Sequence, residues 1–239
     1  MEGGSIKPMN RCLWCQEEIT TDYSWSTVLV GLGKKHLCSI CQEQLQLLKG
    51  STCEKCNRIS NLSPCRDCRW WDRYFKGKDP LSKNVSTFRY NAFMQEVVAK
   101  WKYRGDYELL HIFVEHARQS FFRSYHSIIH KAVLCPIPLS QDRLKERRFN
   151  QAKALAEVLA LYPKQVVQHM SRLHHEIQAK KDRRQRIFSR NPFKLEKKPN
   201  KIVILVDDIY TTGTTLRHAA SLLREHGCRQ VFAYTLIRG

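Results

Sequence analysis

Three features are scarce in this 239-residue chain: long apolar runs, acidic side chains and a lysine-bearing phosphate loop. No apolar run approaches the roughly 18 residues that a membrane-spanning helix needs. Residues 1–10 lack the cationic-then-apolar pattern of a signal peptide, so we expect a cytoplasmic protein. No Gly-x-x-x-x-Gly-Lys motif is present, which excludes a P-loop for nucleoside triphosphates.

The scarcity of acidic residues makes the chain strongly basic. It has 41 Lys and Arg against 22 Asp and Glu, a formal net charge of +19. Such a surplus favours polyanionic partners and accelerates encounter with them. Nucleic acid is the usual partner, because each neutralised phosphate releases counterions. Acidic lipid is a second candidate, although no terminus is a strongly amphipathic basic segment, and a basic surface that serves only solubility is a third.

Cysteine, by contrast, is abundant and regularly spaced. Eight of the ten cysteines form four Cys-x-x-Cys pairs, namely Cys12/Cys15, Cys38/Cys41, Cys53/Cys56 and Cys65/Cys68. Two such pairs complete a tetrahedral site of four thiolates, and cytosolic thiols stay reduced, so we predict two structural zinc ions in a double zinc ribbon. Pairing in sequence order is the simpler arrangement, and cross-braced pairing also stays open. A redox dithiol or a set of disulfides explains four pairs less well.

Thirteen residues, 203–215, carry the clearest functional signal. An apolar run, Val203 to Val206, predicts a buried strand, and the two carboxylates of Asp207 and Asp208 follow where that strand should end. A Thr/Gly loop then leads into a helical pattern that Gly227 can cap. Backbone amides and the positive end of the helix dipole would face a phosphate there. The alternative is a surface Asp-Asp turn after a core strand.

The rest of the chain alternates strands and helices. Strands are predicted at 85–90, 132–135 and 231–237, and helices at 93–101, 107–122, 152–159 and 216–223. This order predicts an α/β fold with a mostly parallel, doubly wound sheet that binds ligands at the carboxyl ends of its strands. We expect the double zinc ribbon in residues 1–70, a linker at 71–84 and the α/β domain at 85–239.

Two basic segments are candidate phosphate-binding elements. Arg143, Arg147 and Arg148 follow the Pro136-Ile137-Pro138 turn and can clamp pyrophosphate or DNA, with a solvated helix face as the alternative. Residues 178–201 contain ten basic and two acidic residues, hence +8. The candidates within this segment are Lys180, Lys181, Arg183, Arg184 and Arg186. A separate candidate is the aromatic pair Trp70 and Trp71, which follows the last cysteine pair. It either packs the ribbon onto the domain or stacks on the bases of a single strand.

The 203–215 motif resembles the 5-phosphoribosyl-1-pyrophosphate (PRPP) motif of type I phosphoribosyltransferases. In that family the acidic pair binds the ribose hydroxyls, usually with Mg²⁺ nearby, and the loop wraps the 5-phosphate. The resemblance implies that Asp207 and Asp208 hold the ribose. It implies that the phosphate is held by Thr211, Thr212, Gly213, Thr214 and Thr215.

A wider resemblance covers essentially the whole chain. The PRPP-like motif is preceded by the cysteine pairs, the stretch 101–106, the Pro136 turn with its arginines and the stretch 178–193. This order of motifs is similar to that of the ComF family. The resemblance implies a zinc-ribbon head on a type I phosphoribosyltransferase-like domain. It also implies a cytoplasmic role in natural transformation beside the membrane-bound DNA-uptake machinery. Single-stranded DNA, a DNA-uptake helicase and a recombination mediator would be the partners.

Two functions are therefore open at this point. One is a competence factor that binds single-stranded DNA and PRPP. The other is an active phosphoribosyltransferase on an unknown acceptor, because such transfer needs positioning, Mg²⁺ and cationic stabilisation of pyrophosphate, and no protein nucleophile. The sequence shows no acceptor pocket, and no catalytic residue is assigned.

The basic segment generates a first testable prediction. If its five candidate residues contact DNA phosphates, replacing Lys180, Lys181, Arg183, Arg184 and Arg186 with Ala should weaken single-stranded DNA binding on every sequence. The slope of log affinity against log salt should flatten by roughly 0.7 per contact, or about 3.5 in all. Fluorescence-anisotropy titrations at several salt concentrations measure this slope. An unchanged slope with weakened PRPP binding would assign the segment to PRPP instead.

Overall fold

The computed structural model describes residues 11–19, 35–103, 106–173 and 191–239. Its central sheet has four parallel strands in the order β1-β6-β5-β2, and a two-stranded antiparallel sheet lies beside it. The strands are β1 (Lys83–Arg89), β2 (Val133–Pro136), β3 (Met170–Arg172), β4 (Phe193–Leu195), β5 (Ile202–Tyr210) and β6 (Gln230–Arg238). β3 pairs with β4.

Helices connect the parallel strands, because a crossover between parallel strands needs a longer connection than a hairpin turn. They are α1 (Ser39–Glu43), α2 (Arg66–Tyr74), α3 (Ala92–Tyr103), α4 (His111–Tyr125), α5 (Gln141–Arg147), α6 (Gln151–Leu159) and α7 (Thr214–Glu225). Two 3-10 turns span Tyr107–Leu110 and Pro163–Gln165. The predicted α/β fold with a parallel sheet behind a cysteine-rich head is confirmed.

Two local predictions differ from the structure. β5 does not end at the acidic pair but continues to Tyr210, because Asp207, Ile209 and Tyr210 keep their pairing with β6. The helix expected at 107–122 begins as the 3-10 turn and then runs as α4 to Tyr125. Tertiary pairing and packing thus extend both elements beyond their sequence signals.

The sheet separates two hydrophobic cores. Successive residues of a strand face opposite sides, so Ile204 and Val206 belong to one core and Val203 and Leu205 to the other. The first core packs α3, α4 and α6 and includes Cys12 and Cys41 of the head. The second core packs α7 and includes the buried Cys53, Cys56, Cys65 and Cys68. The two halves of the head therefore lie against opposite faces of the sheet.

The head also covers the edge of the sheet. The backbone N–H of Leu48 donates to the carbonyl of Thr87 in β1 at 2.9 Å, and the N–H of Arg89 donates to the carbonyl of Gln46 at 2.8 Å. These bonds satisfy groups that an edge strand would otherwise expose. Within the predicted linker, residues 71–74 lie in α2, and Asp79 forms an ion pair with Arg217 of α7 at 2.8 Å. The domain boundaries themselves stay a prediction.

Membrane-spanning segments are absent from the part of the chain that the structure describes: none of its helices is both long and apolar enough to cross a bilayer.

Candidate active site and metal centres

The acidic pair lies at the carboxyl end of β5, the edge where parallel sheets bind ligands. The backbone N–H of Asp208 donates to Oδ1 of Asp207 at 2.9 Å. Lys102, near the end of α3, forms a salt bridge with Oδ2 of Asp208, and both side chains are largely buried. Sequence reasoning did not place Lys102 in the site. Its signal was its position inside the stretch 101–106, which the resemblance to the ComF family had used.

Burial and a like charge change the titration of Asp207. Burial, followed by the neighbouring Asp208, raises the pKa of Asp207 to about 7, although Lys102 and Arg172 act in the opposite direction. Two carboxyls held this close resist double ionisation. The pair is therefore stabilised by a cation or by hydroxyl donors placed against it.

A glycine in a left-handed conformation joins the loop after β5 to α7. Gly213 is the N-cap of α7 and has φ of 78°, the left-handed region that favours glycine. A Cβ at this position would lie 2.2 Å from the Tyr210 hydroxyl oxygen, so only glycine fits. The hydroxyls of Thr212 and Thr214 lie 2.9 Å apart, beside the first-turn amides of α7 that have no intrahelical acceptor.

The charges of two predicted arginines act on Arg172, a residue that sequence reasoning missed. Burial, then the charge of Arg143, and to a smaller extent that of Arg147, lower the pKa of Arg172, while Asp207 raises it. These groups are therefore electrostatic neighbours. Arg172 ends β3, a strand too short to show any periodicity in the sequence. Arg147 is 8% exposed, and its Nε has no hydrogen-bond partner within the described residues.

The remaining predicted basic residues are placed differently. Arg148 is exposed and adopts a left-handed conformation at the C-cap of α5. The candidates Lys180, Lys181, Arg183, Arg184 and Arg186 lie outside the described residues. Asn150 caps α6, accepting from the N–H of Ala152 at 2.9 Å, and it donates to the carbonyl of Ile137 at 3.0 Å. This bond fixes the Pro136 turn to α6.

The eight paired cysteines form two clusters, each within 4.8 Å between all Sγ atoms. We call them the first cysteine centre (Cys12, Cys15, Cys38 and Cys41) and the second cysteine centre (Cys53, Cys56, Cys65 and Cys68). The grouping is in sequence order, which decides between the two arrangements that the spacing left open. The Sγ atoms of Cys15 and Cys38 lie 3.6 Å apart, as do those of Cys56 and Cys65. A tetrahedral zinc with bonds of about 2.3 Å would hold its sulfurs about 3.8 Å apart, so both centres fit zinc.

The second cysteine centre is the more buried one, with all four cysteines inaccessible. A hydrogen bond from Cys68 and the charge of Arg238 lower the pKa of Cys56, against the effect of burial. A thiolate is the form that binds metal. Cys135 and Cys228, which stand apart from the pairs, are buried as packing residues.

The two tryptophans of α2, Trp70 and Trp71, have different environments. Trp71 is 3% exposed, its Nε1 donates to the carbonyl oxygen of Thr212 at 3.0 Å, and the Arg217 guanidinium lies 4.5 Å from its ring centroid. Trp71 therefore packs the head onto the phosphate loop. Trp70 is only half-buried and stacks on Tyr74, with ring centroids 5.3 Å apart.

Fold and site together define a phosphoribosyltransferase-like protein with a cysteine-rich head. The family model of the phosphoribosyl transferase domain matches residues 151–239. The competence protein ComFC of Bacillus subtilis (strain 168) is 35% identical over 243 residues, covering 99% of this chain and 98% of that protein. The ComFC of Streptococcus pneumoniae (strain ATCC BAA-255 / R6) is 27% identical, covering 95% of this chain and 100% of that protein.

A third relative also matches over most of its own length. Competence protein F of Haemophilus influenzae (strain ATCC 51907 / DSM 11121 / KW20 / Rd) is 26% identical over 227 residues, covering 84% of this chain and 96% of that protein. Because the similarity to the Bacillus protein exceeds 30% over nearly the full length of both chains, this chain belongs to the ComF family. The predicted family membership is confirmed.

The cysteine geometry generates a second prediction. Metal analysis of freshly purified protein should give two zinc ions per chain, because each centre offers four thiolates. Cys15→Ser and Cys68→Ser should each reduce the content to about one, since the centres share no ligand. Cys135→Ser, which changes a buried cysteine outside both centres, is the control and should retain two. A content of two in the Cys68→Ser protein would contradict this assignment.

Proposed function

We propose that this protein is a competence factor that binds a phosphoribosyl ligand at the end of β5 and single-stranded DNA on a basic surface nearby. The observation that carries the proposal is the combination of a largely buried acidic pair, the salt bridge from Lys102 to that pair and a left-handed Gly213 loop after the same strand. A phosphorylated sugar matches each of these. Other competence proteins, such as a DNA-uptake helicase or a recombination mediator, are proposed as further partners.

PRPP would contact the acidic pair through its ribose hydroxyls and the loop through its 5-phosphate. The carboxylates of Asp207 and Asp208 accept hydrogen bonds from ribose hydroxyls, and carboxylate oxygen is the ligand type that Mg²⁺ prefers. Mg²⁺ would neutralise the charge between the pair and the pyrophosphate. The loop supplies backbone donors and threonine hydroxyls for the 5-phosphate. Lys102 would have to exchange part of its interaction with Asp208 for the ligand.

The outer face of α2 supports binding of single-stranded DNA. Arg66, Arg69 and Arg73 are exposed and recur at helical spacing on one side of the helix, where they line a groove of about 490 Å³ together with Asp72. The stacked rings of Trp70 and Tyr74 lie on the same helix. Arginines that follow a phosphate backbone beside stacking aromatics are the pattern of sequence-independent single-strand binding.

Phosphoribosyl transfer is the second candidate function. The observation that favours it is the buried Arg147, whose Nε lacks a partner among the described residues, beside Arg143 and Arg172. Preorganised cations of this kind stabilise a departing pyrophosphate. Release of pyrophosphate in the presence of DNA or of nucleobases distinguishes transfer from binding alone.

The acidic pair generates a third prediction. Asp207→Asn combined with Asp208→Asn should weaken Mg²⁺-dependent PRPP binding at least about a hundredfold, because two charge-assisted hydrogen bonds of about 1.5 kcal/mol each are lost. In the parent protein, affinity should fall as the pH is lowered through about 7, because the raised pKa of Asp207 leaves that carboxyl protonated below this pH. Isothermal titration calorimetry between pH 5.5 and 8.5 measures both effects.

Two controls accompany this measurement. Glu157→Gln with Glu225→Gln makes the same charge change at exposed helix positions and should leave PRPP affinity unchanged. The phosphates of PRPP also titrate near pH 6, so the residual binding of Asp207→Asn should lose the pH step near 7. Undiminished PRPP affinity in the double variant would exclude this site.

The α2 surface generates a fourth prediction. Replacing Arg66, Arg69 and Arg73 with Ala should weaken single-stranded DNA binding and flatten its salt slope by about 2, at roughly 0.7 per contact. PRPP affinity should stay at the parent value, because these arginines are exposed and the contact of α2 with the phosphate loop through Trp71 is kept. In a Bacillus subtilis strain that lacks its own ComFC, this variant should restore fewer transformants than the parent chain.

The matched control lies at the opposite edge of the sheet. Lys131, Lys201 and Arg229 are exposed and precede β2, β5 and β6, so they lie at the amino ends of the strands. Their replacement with Ala removes the same charge and should leave the salt slope close to that of the parent. Equal slopes for both triple variants would show that overall charge, and not the α2 surface, governs DNA binding.

A further inference from the structure

The carbonyl groups of the phosphate loop are held from behind by two side chains. Trp71 donates to the carbonyl of Thr212 through the bond described above. Nη1 of Arg238, the last residue of β6, donates to the carbonyl oxygens of Tyr210 and Thr211 at 3.1 and 3.2 Å. Three consecutive carbonyls are thus fixed by donors that come from other parts of the chain.

These carbonyls set the direction of the loop amides. In a trans peptide, which is the form of these bonds, the C=O and the following N–H lie in one plane and point in opposite directions. The bonds to Trp71 and Arg238 therefore turn the amides of Thr211, Thr212 and Gly213 towards the other side of the loop. Those amides are the donors that a phosphate at the start of α7 requires.

Both side chains are tied to the second cysteine centre. Trp71 follows Cys68 by three residues on α2, so the two side chains lie on one helix face, and Cys65 is the N-cap of that helix. Nη2 of Arg238 lies 3.8 Å from Sγ of Cys56, and its guanidinium lies 4.6 Å from the centroid of the Tyr210 ring. Metal bound at this centre would fix the position of α2 and of Cys56, and through them both donors.

The first cysteine centre makes its contacts elsewhere. Trp14 beside it packs edge-on against Phe93 of α3 with centroids 5.4 Å apart, and Gln42 bonds to His116 of α4 at 3.1 Å. Its two buried cysteines, Cys12 and Cys41, belong to the hydrophobic core on the other face of the sheet. The two centres have the same ligands but different neighbours.

We propose that the second cysteine centre positions the phosphate loop for anion binding through Trp71 and Arg238, and that the first centre does not. Trp71 and Arg238 are positioning residues, because they act through the loop backbone. Loss of metal from the second centre would release α2 and the loop together, so phosphate binding would depend on the metal at a site that takes no part in the chemistry. The identity of the anion rests on the proposed function, whereas the loop geometry does not.

Trp71→Phe in the zinc-loaded full chain tests this coupling. It removes the N–H donor and keeps an aromatic ring, and Trp14→Phe makes the same change beside the first cysteine centre. NMR without ligand should show shifted or broadened amide resonances for Thr211, Thr212 and Gly213 in Trp71→Phe and unchanged ones in Trp14→Phe. Affinity for PRPP with Mg²⁺ should fall about tenfold in Trp71→Phe, as loss of one buried hydrogen bond produces, and by less than twofold in Trp14→Phe.

Removing one metal at a time compares the two centres directly. Cys68→Ser should perturb the three loop amides, and Cys15→Ser should leave them as in the parent, with the amides of β5 and β6 reporting an intact sheet in each. Because coupling of binding free energies is reciprocal, PRPP should also raise the zinc affinity of the second centre, measured by equilibrium competition with a chelator in the Cys15→Ser chain that retains only this centre.

The outcomes separate this coupling from the proposed function. Unchanged loop amides and unchanged PRPP affinity in Trp71→Phe would overturn the coupling and leave the proposed function standing. Equal perturbation of the loop by Cys15→Ser and Cys68→Ser would also overturn it. A parent chain that binds no PRPP would refute the proposed ligand, and the loop amides would still decide whether the second centre positions the loop.

Discussion

A buried guanidinium needs a carboxylate partner, because an unpaired charge in a protein interior costs several kcal/mol. Arg217 of α7 meets that need with Asp79 at 2.8 Å, and their side chains are 2% and 3% exposed. Arg217 also donates to the Tyr210 hydroxyl at 2.8 Å and lies over Trp71. The guanidinium of Arg217, on α7, therefore contacts α2, the segment before β1 and the end of β5. The phosphate loop crosses this cluster, which leaves no room for a side chain at Gly213.

The site combines both signs of charge within a basic protein. Lys102 forms a salt bridge with Asp208, and the charges of Lys102 and Arg172 act to lower the pKa of Asp207, although burial and Asp208 still leave this pKa raised. A ligand with hydroxyls at one end and phosphates at the other complements this arrangement. Under the proposed function, the exposed arginines of α2 would hold a polyanion, and the acidic pair with its loop would hold a phosphorylated sugar. The two ligands would then not compete for the same groups.

The sequence alone predicted most of the fold and the position of the site. Apolar runs such as Val203–Val206 mark buried strands, because burial on both faces demands continuous hydrophobicity. The pattern around Asp207, Asp208 and Gly213 is contiguous, so its strand–loop–helix geometry could be predicted from one segment. The Cys-x-x-Cys spacing likewise predicted two centres of four cysteines each. Each of these features depends on residues that are close together in the sequence, so it could be predicted without the tertiary structure.

Contacts between distant segments required the tertiary structure. Lys102, Arg172 and Trp71 reach the site from three separate elements, and no periodicity reports which carboxylate or carbonyl each will meet. The grouping of the cysteine pairs and the placement of the two centres on opposite faces also depend on how the head folds over the sheet. The sequence by itself determined the four Cys-x-x-Cys pairs and the pattern of acidic pair, loop and helix, because each is local in the chain. Only the packing of the head against the carboxyl edge decided which cysteine centre is connected to the loop, because Trp71 and Arg238 meet the loop carbonyls only in three dimensions.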